Sequence, residues 1–425
     1  MSGLKKAVEA STSPFHAVQY AEAYLAAKGF QELKLEETWK EKVKVGGSYF
    51  VTAFDTTLTA FTVGALEDGW QLRMAASHLD WPCVMVKPSP EVTTKRYAKL
   101  NVEVYGGPIL NTWLDRPLSL AGRVCSKGKD AFHPQVHFVD FKRPILTIPN
   151  LAIHMNREVN KGVAINAQVD MLPLAALLTE KLDQDHFFLQ LLAKEISVEP
   201  EDILDYEFCV YNMDEGCVCG FENEFFSAPR LDNITSVEAC LYAITENAPS
   251  TGIRAVTLYH NEEIGSNTKQ GANSPLTERI LEKLYLALGY DREDFLNGLM
   301  NGLLLSLDVA HAIHPNHPEK CDIKNQIFMN DGVAIKQASA QSYATDAVAD
   351  SVVEALCREN GIPYKKFSNR SDVKGGSTLG RISSSLLNMR TIDAGAPILA
   401  MHSARELMGV RDQWALNELT KAFLA

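Results

Sequence analysis

The chain opens with apolar residues at helical spacing, LKKAVEASTSPFHAVQYAEAYLAAKGF, interrupted at Ser13-Pro14 and with Gly29 as a stop. Two apolar stretches follow, SYFVTAFDTTLTAFTVG (48–64) and GWQLRMAASHLD (69–80), and both read as strands. From about 90 to 225 the texture changes: short β-like runs such as LNVEVYGG, QVHFVDF and YEFCVYN alternate with Pro-rich turns and a few helices. Beyond Ser227 the spacing predicts helix ITSVEACLYAI (234–244), strand RAVTLYH (254–260) and buried strand NGLLLSLDVAH (301–311). Helix TDAVADSVVEALCREN (345–360), strand PILAMH (397–402) and helix SARELMGV complete the series. Such alternation predicts an α/β sheet with helices on both faces. Residues 1–90 and 227–425 are expected to form one such domain, with the β-rich segment 91–226 inserted into it.

Composition narrows the classes. A chain of 425 residues, 46% hydrophobic and 22% charged, has the make-up of an ordinary globular protein with a large core. Its formal charge of −12 argues against nucleic acid or an anionic membrane as partner, since both reward a basic surface. The N-terminal stretch lacks the apolar core of a secretory signal, and no run is long and apolar enough to span a bilayer. The eight cysteines are scattered, and Cys217-x-Cys219 has no second pair nearby, so reduced thiols in a cytoplasmic protein are expected.

The chemistry gathers at strand ends, where ligands bind in open α/β sheets. QLRMAASHLD ends in His78 and Asp80, RAVTLYHNEE in Glu262 and Glu263, LLLSLDVAH in Asp308 with His311 after it, and PILAMH in His402. SAPRLDN sets Asp232 at a helix start, where a carboxylate meets free backbone N–H groups. Taken singly, a strand-end Asp is ordinarily a turn former and a lone His a satisfied buried residue. Their recurrence on one face, without a matching set of Lys or Arg, points instead to a pair of divalent metal ions. Imidazole and carboxylate together suit zinc, with manganese or cobalt as alternatives. One of the adjacent glutamates then binds metal while the other takes a proton from the attacking water. His78 and Asp80 stand two apart on an extended chain and face one way, so Asp80 is expected to orient the imidazole.

These residues and their surroundings resemble the aspartyl aminopeptidases and vacuolar aminopeptidase I. The matching stretches are SHLDWPCVMVKP (77–88), YGGPILNTWLDRPLSLAGRV (105–124), IPNLAIHMNR (148–157), SAPRLDN (227–233), NEEIGS with QGANS (261–274), DVAHAIHPN (308–316), GGSTLG (375–380) and APILAMHSARE (396–406). The resemblance implies a mixed-sheet zinc-peptidase catalytic domain with an inserted β-rich dimerisation domain. It implies that Asp232 bridges two metal ions, that His78 and Asp308 complete one set of ligands, and that Glu263 and His402 complete the other. Glu262 becomes the general base. His154 is expected to reach a neighbouring subunit's active site, Lys336 to meet an acidic substrate side chain, and Tyr343 and the backbone at Gly376 to lie near substrate. The implied substrates are peptides with free N-termini, preferably beginning with Asp or Glu, and the implied assembly is homodimers joined into a tetrahedral homododecamer. Lys374 departs from the best-characterised acid-specific members, which often carry a Pro-Cys or similar pair there, so a neutral-residue (Leu-type) aminopeptidase or a deacylase is the nearest rival. A non-catalytic assembly scaffold is a further one. VKGGSTLG lacks phosphate-loop spacing, and His311, His314 and His317 are read as supporting residues.

Overall fold

The computed structural model describes residues 1–65, 71–178, 186–247 and 251–425. Gly69 and Trp70 of the strand expected over 69–80 lie outside the described residues; the remainder forms strand Leu72–His78. The opening helices run Ser2–Ala10 and Pro14–Ala27, and the second begins where the Ser13 side chain accepts from the His16 amide. The stretch 48–64 folds as two antiparallel strands, Ser48–Ala53 and Thr57–Val63, turning at Phe54 and Asp55 with φ of 55° and 60°.

The fold is mixed α/β, as the alternation predicts. A nine-stranded sheet is centred on four parallel strands in the order Ile253–Tyr259, Leu72–His78, Leu303–Leu307 and Arg390–Gly395. Antiparallel neighbours flank both sides of this parallel centre. Strand periodicity sorts side chains to two cores. Ala75, Val256 and Leu258 pack with the helices Leu231–Glu246 and Val410–Leu424 on one face. Met74, Ala76 and Ala255 pack with Leu276–Ala287 and Arg292–Asn301 on the other. The register sets Tyr259 beside His78 and Ser306 beside Ala76, so three parallel strands end on one edge.

A second, six-stranded antiparallel sheet contains Cys83–Thr94, Tyr97–Tyr105, Leu118–Asp130, His133–Asp140, Leu174–Leu177 and Ile203–Asn212. It therefore begins at Cys83, ahead of residue 91, and ends at Asn212. A third sheet joins Cys217–Cys219, Phe225–Ala228, Glu406–Gly409, Pro397–Leu399 and Ala310–His311. This third sheet corrects three local expectations. SARELMGV is not a helix: Glu406–Gly409 is a strand bonded on one side to Phe225–Ala228 and on the other to Pro397–Leu399, and the helix starts only at Val410. Pairing on both edges outweighs the helical propensity of the segment. The strand in PILAMH stops at Leu399, and Ala400 and His402 turn with φ of 57° and 67°. Likewise the run 301–311 leaves the main sheet after Leu307 and joins the third sheet at Ala310. Gly395 permits that crossing, since a Cβ there would lie 1.6 Å from the Asp308 carbonyl oxygen.

Candidate metal centre

At the carboxyl edge of the parallel strands lies a cleft of about 420 Å³ lined by His78, Asp232, Glu262, Glu263, Asp308, Lys336, Tyr343, Gly376 and His402, among others. His78 ends its strand, Asp308 follows Leu303–Leu307, and Glu262 and Glu263 open a 3₁₀ turn after Ile253–Tyr259. Asp232 enters from the start of the helix Leu231–Glu246, where the local φ/ψ is non-helical. The neighbouring Asn233 side chain ties that start to the sheet, donating to Leu307 O at 2.9 Å and Ser77 Oγ at 3.2 Å. Asp80 lies behind the cleft. His154 is not brought to it: within the single chain that residue sits in an exposed turn of the segment after the second sheet's Leu118–Asp130 and His133–Asp140 strands.

The donor atoms stand apart by more than a hydrogen bond. His78 Nε2 is 3.5 Å from Asp232 Oδ1 and 3.7 Å from Asp308 Oδ1. His402 Nε2 is 3.4 Å from Asp232 Oδ2 and 3.5 Å from Glu263 Oε2. Tetrahedral zinc, with bonds near 2 Å, holds its donors about 3.3 Å apart. Buried Asp232 Oδ1 and Glu263 Oε1 have no hydrogen-bond partner among the described residues, a condition that costs about 1–3 kcal/mol per group unless something else is bound there. The residues present thus fit a metal. Three overlapping groups of donors, each within 4.8 Å, are His78–Asp232–Asp308, His78–Glu262–Glu263 and Asp232–Glu263–His402. Among the described residues, no such group includes His314 or His317.

Charge points the same way. Burial, followed by the nearby Asp232, raises Glu263 well above the usual carboxylate range. Burial pushes Glu262 up to about 8, with Asp308, Asp80 and Asp232 adding to the rise and His78 opposing it. Burial likewise opposes ionisation of Asp308, but Lys336 and His78 outweigh it and hold that carboxyl down at about 2. Lys336 is 2% exposed, with Nζ 2.9 Å from Val309 O, 3.8 Å from Asp308 Oδ2 and 5.2 Å above the Tyr343 ring. So many carboxylates with so few cations form a stable site only with added positive charge.

The adjacent glutamates are held in place through their backbone. The Asp80 carboxylate accepts from both amides, Glu262 N to Oδ1 and Glu263 N to Oδ2, each at 3.2 Å. Tyr105 adds its hydroxyl to Oδ2 at 2.6 Å. The His78 imidazole is steered chiefly by the Asp80 main chain, with Nδ1 3.1 Å from the carbonyl oxygen and 3.5 Å from the carboxylate. On the far side, His402 Nδ1 lies 3.2 Å from Gly107 O, and Ile109 donates to His402 O at 2.9 Å. Gly106 allows that strap to pass: it has φ of 69°, and a Cβ there would sit 3.2 Å from Glu263 Cβ.

Sequence reasoning missed Glu406. Buried at 3% exposure, its carboxylate receives Asp232 N at 3.0 Å and His402 N at 2.8 Å, fixing two of the metal-facing residues at once. The available signal was an acid followed by the apolar run LMGV in a segment that pairs as a strand.

Comparison with known proteins agrees with this geometry. Residues 7–424 match the model of the family described as Aminopeptidase I zinc metalloprotease (M18). This chain belongs to the M18 peptidase family. It is therefore a metallo-aminopeptidase, a hydrolase. The Probable M18 family aminopeptidase 2 of Clostridium novyi is 44% identical over 417 residues, covering 97% of this chain and 95% of that protein. The cryo-EM structure of the Ape4 and Nbr1 complex contains a chain that superposes with a TM-score of 0.95 at 33% identity, over 99% of this chain and 84% of that one. The mApe1 dodecamer of S. cerevisiae superposes at 0.86 with 27% identity, over 99% and 95% of the two chains. Among the described residues no helix is long and apolar enough to cross a membrane.

Proposed function

We propose that this M18 enzyme uses two zinc ions to release N-terminal residues, preferably Asp or Glu, from peptides with free N-termini. The observation that carries the reading is the sharing of Asp232, whose two oxygens face His78 and His402 separately. His78, Asp232 and Asp308 would hold one ion, and Asp232, Glu263 and His402 the other. Bound zinc supplies Lewis acidity, making water nucleophilic at neutral pH and polarising the scissile carbonyl. Glu262, its amide pinned by Asp80, takes a proton from the attacking water and delivers it to the departing nitrogen. The hydroxyl joins the carbonyl carbon, the C–N bond breaks, and the amine leaves neutral. The substrate's α-ammonium would sit against the surrounding carboxylates, which restricts cutting to chain ends.

An ammonium has three N–H groups, and Val309 O takes one of those on Lys336, leaving others for an acidic side chain of the first residue. Tyr343 and the Gly376 backbone line the same space. A neutral-residue preference is the second reading, favoured by the pairing of Lys336 with Asp308 and by Ile382 and Met401 in the lining. Residues 91–226 would serve as the dimerisation segment, carrying His154 into a partner's cleft, and the dimers would assemble as a tetrahedral dodecamer; the dodecameric mApe1 relative supports this. A cytoplasmic setting accords with eight free cysteines.

The test is a panel of aminoacyl substrates with Asp, Glu, Ala or Leu first, assayed on metal-stripped protein with Zn, Mn and Co restored separately. Strong Leu preference overturns the acidic reading, and equal rates without metal overturn the mechanism. Native mass spectrometry of wild type and His154→Ala checks assembly and subunit sharing together: an active monomer would refute both.

A further inference from the structure

Beside the metal cleft lies a second cavity of about 510 Å³, and the two share His311, Gly376 and Met401 as a common rim. Its lining carries three cations, Lys320, Arg370 and Lys374, with His314 and His317 beside them, against a single carboxylate, Asp322, in a protein of net charge −12. Several of these groups are already engaged. Arg370 binds the Asp372 carboxylate at 2.8 and 2.6 Å, and His317 stands 3.4 Å from Glu319. Asp322 Oδ1 is occupied by the amides of Lys324 and Asn325. Lys320 and Lys374 close no salt bridge among the described residues; Lys320 lies near enough to Asp372 and Glu319 to lower both carboxyls, and the Lys374 ammonium is left to face the cavity. Phe367, Ile398 and Leu399 supply apolar surface below them.

We infer that this cavity is a subsite for a carboxylate on the second residue of the peptide, the residue on the leaving side of the cut bond. The inference rests on the N-terminal residue being seated in the metal cleft. From that seat the chain continues across the shared rim, and the next side chain meets Lys374 and Lys320. The enzyme would then select peptides acidic at the second position as well as by their first residue. Lys374 becomes a specificity residue here, acting away from the metal ligands.

The experiment compares peptide amides that differ only in the second residue (Asp, Ala or Lys) at low ionic strength. The expected result is a kcat/KM roughly fivefold to tenfold higher for Asp than for Ala, the size of one or two exposed charge pairs, expressed mainly in KM and weakened by salt. Lys374→Glu is expected to invert the order in favour of Lys, while Lys374→Met only flattens it. A merely structural lysine would not invert specificity. Equal kcat/KM for all three peptides, or an order unchanged by Lys374→Glu, overturns the inference. So does a Lys374→Glu effect confined to the first residue, which would assign the cavity to the N-terminal side chain. Failure of the seat shows separately, as absence of hydrolysis by zinc-loaded wild type. In that case calorimetric affinities of uncleavable reduced-amide peptides carry the same Asp, Ala and Lys contrast, and equal affinities refute the subsite.

Discussion

In and just behind the metal cleft, His78, Asp80 and Asp232 are 1%, 0% and 3% exposed and each is held by hydrogen bonds; across the shared rim, Lys320 and Lys374 stand exposed and close no salt bridge among the described residues. The cleft gathers negative charge on largely buried side chains, and there each donor is fixed by a backbone group or a second carboxylate. The neighbouring cavity spreads positive charge where water reaches, and its side chains can move. The contrast separates two tasks. Holding cations and aiming a base require preorganised groups that cannot relax when the reaction changes their charge. Attracting an acidic peptide requires only a field, which mobile lysines provide at little cost to stability.

If that division holds, disturbing the cleft will be felt in metal binding and turnover, and disturbing the cavity only in selectivity. Chelation should bring the largest change, eliminating peptide hydrolysis and lowering Tm, because the folded state alone presents the full donor set; activity that survives complete metal removal, checked by elemental analysis, would end the comparison. Glu262→Gln is next, with kcat down by about 10²–10⁴-fold while zinc content is kept. Glu406→Gln retains the shape but turns an acceptor into a donor facing an amide; zinc affinity, read by competition with a chromophoric chelator, should fall by about 10–100-fold. Gly106→Ala forces a side chain into positive φ against Glu263, and denaturant unfolding should show about 1–3 kcal/mol of lost stability. Smallest of all, Lys374→Ala and Lys320→Ala should each alter unfolding free energy by less than about 0.5 kcal/mol. A large loss there would mean that the cavity, too, is part of the scaffold.

Much of the cleft was legible before any coordinates. His78, Glu262, Glu263 and Asp308 close apolar runs that read as strands, and strands ending on one edge bring their last residues together. Asp232 was visible as an acid at a helix start. His402 was found too, although on a strand longer than the real one, since the turn at Ala400–His402 depends on which sheet receives Pro397–Leu399. The segment at 403–410 shows why the rest was hidden. Its helical spacing is satisfactory in isolation, and only pairing with Phe225–Ala228, far back in the chain, makes a strand of Glu406–Gly409. Once it is a strand, Glu406 faces Asp232 and His402; as a helix it would have been another surface acid.

The sequence by itself placed these acids and histidines where apolar runs end or a helix begins, because local spacing marks where a buried element stops or starts. Tertiary structure alone decided what grips them: Asp80 on the Glu262 and Glu263 amides, Glu406 on those of Asp232 and His402, Gly107 on the His402 ring. Except for the short Glu406–His402 link, those bonds join groups remote in sequence. A backbone N–H or carbonyl is the same at every residue, so nothing in the local pattern marks which one will be chosen.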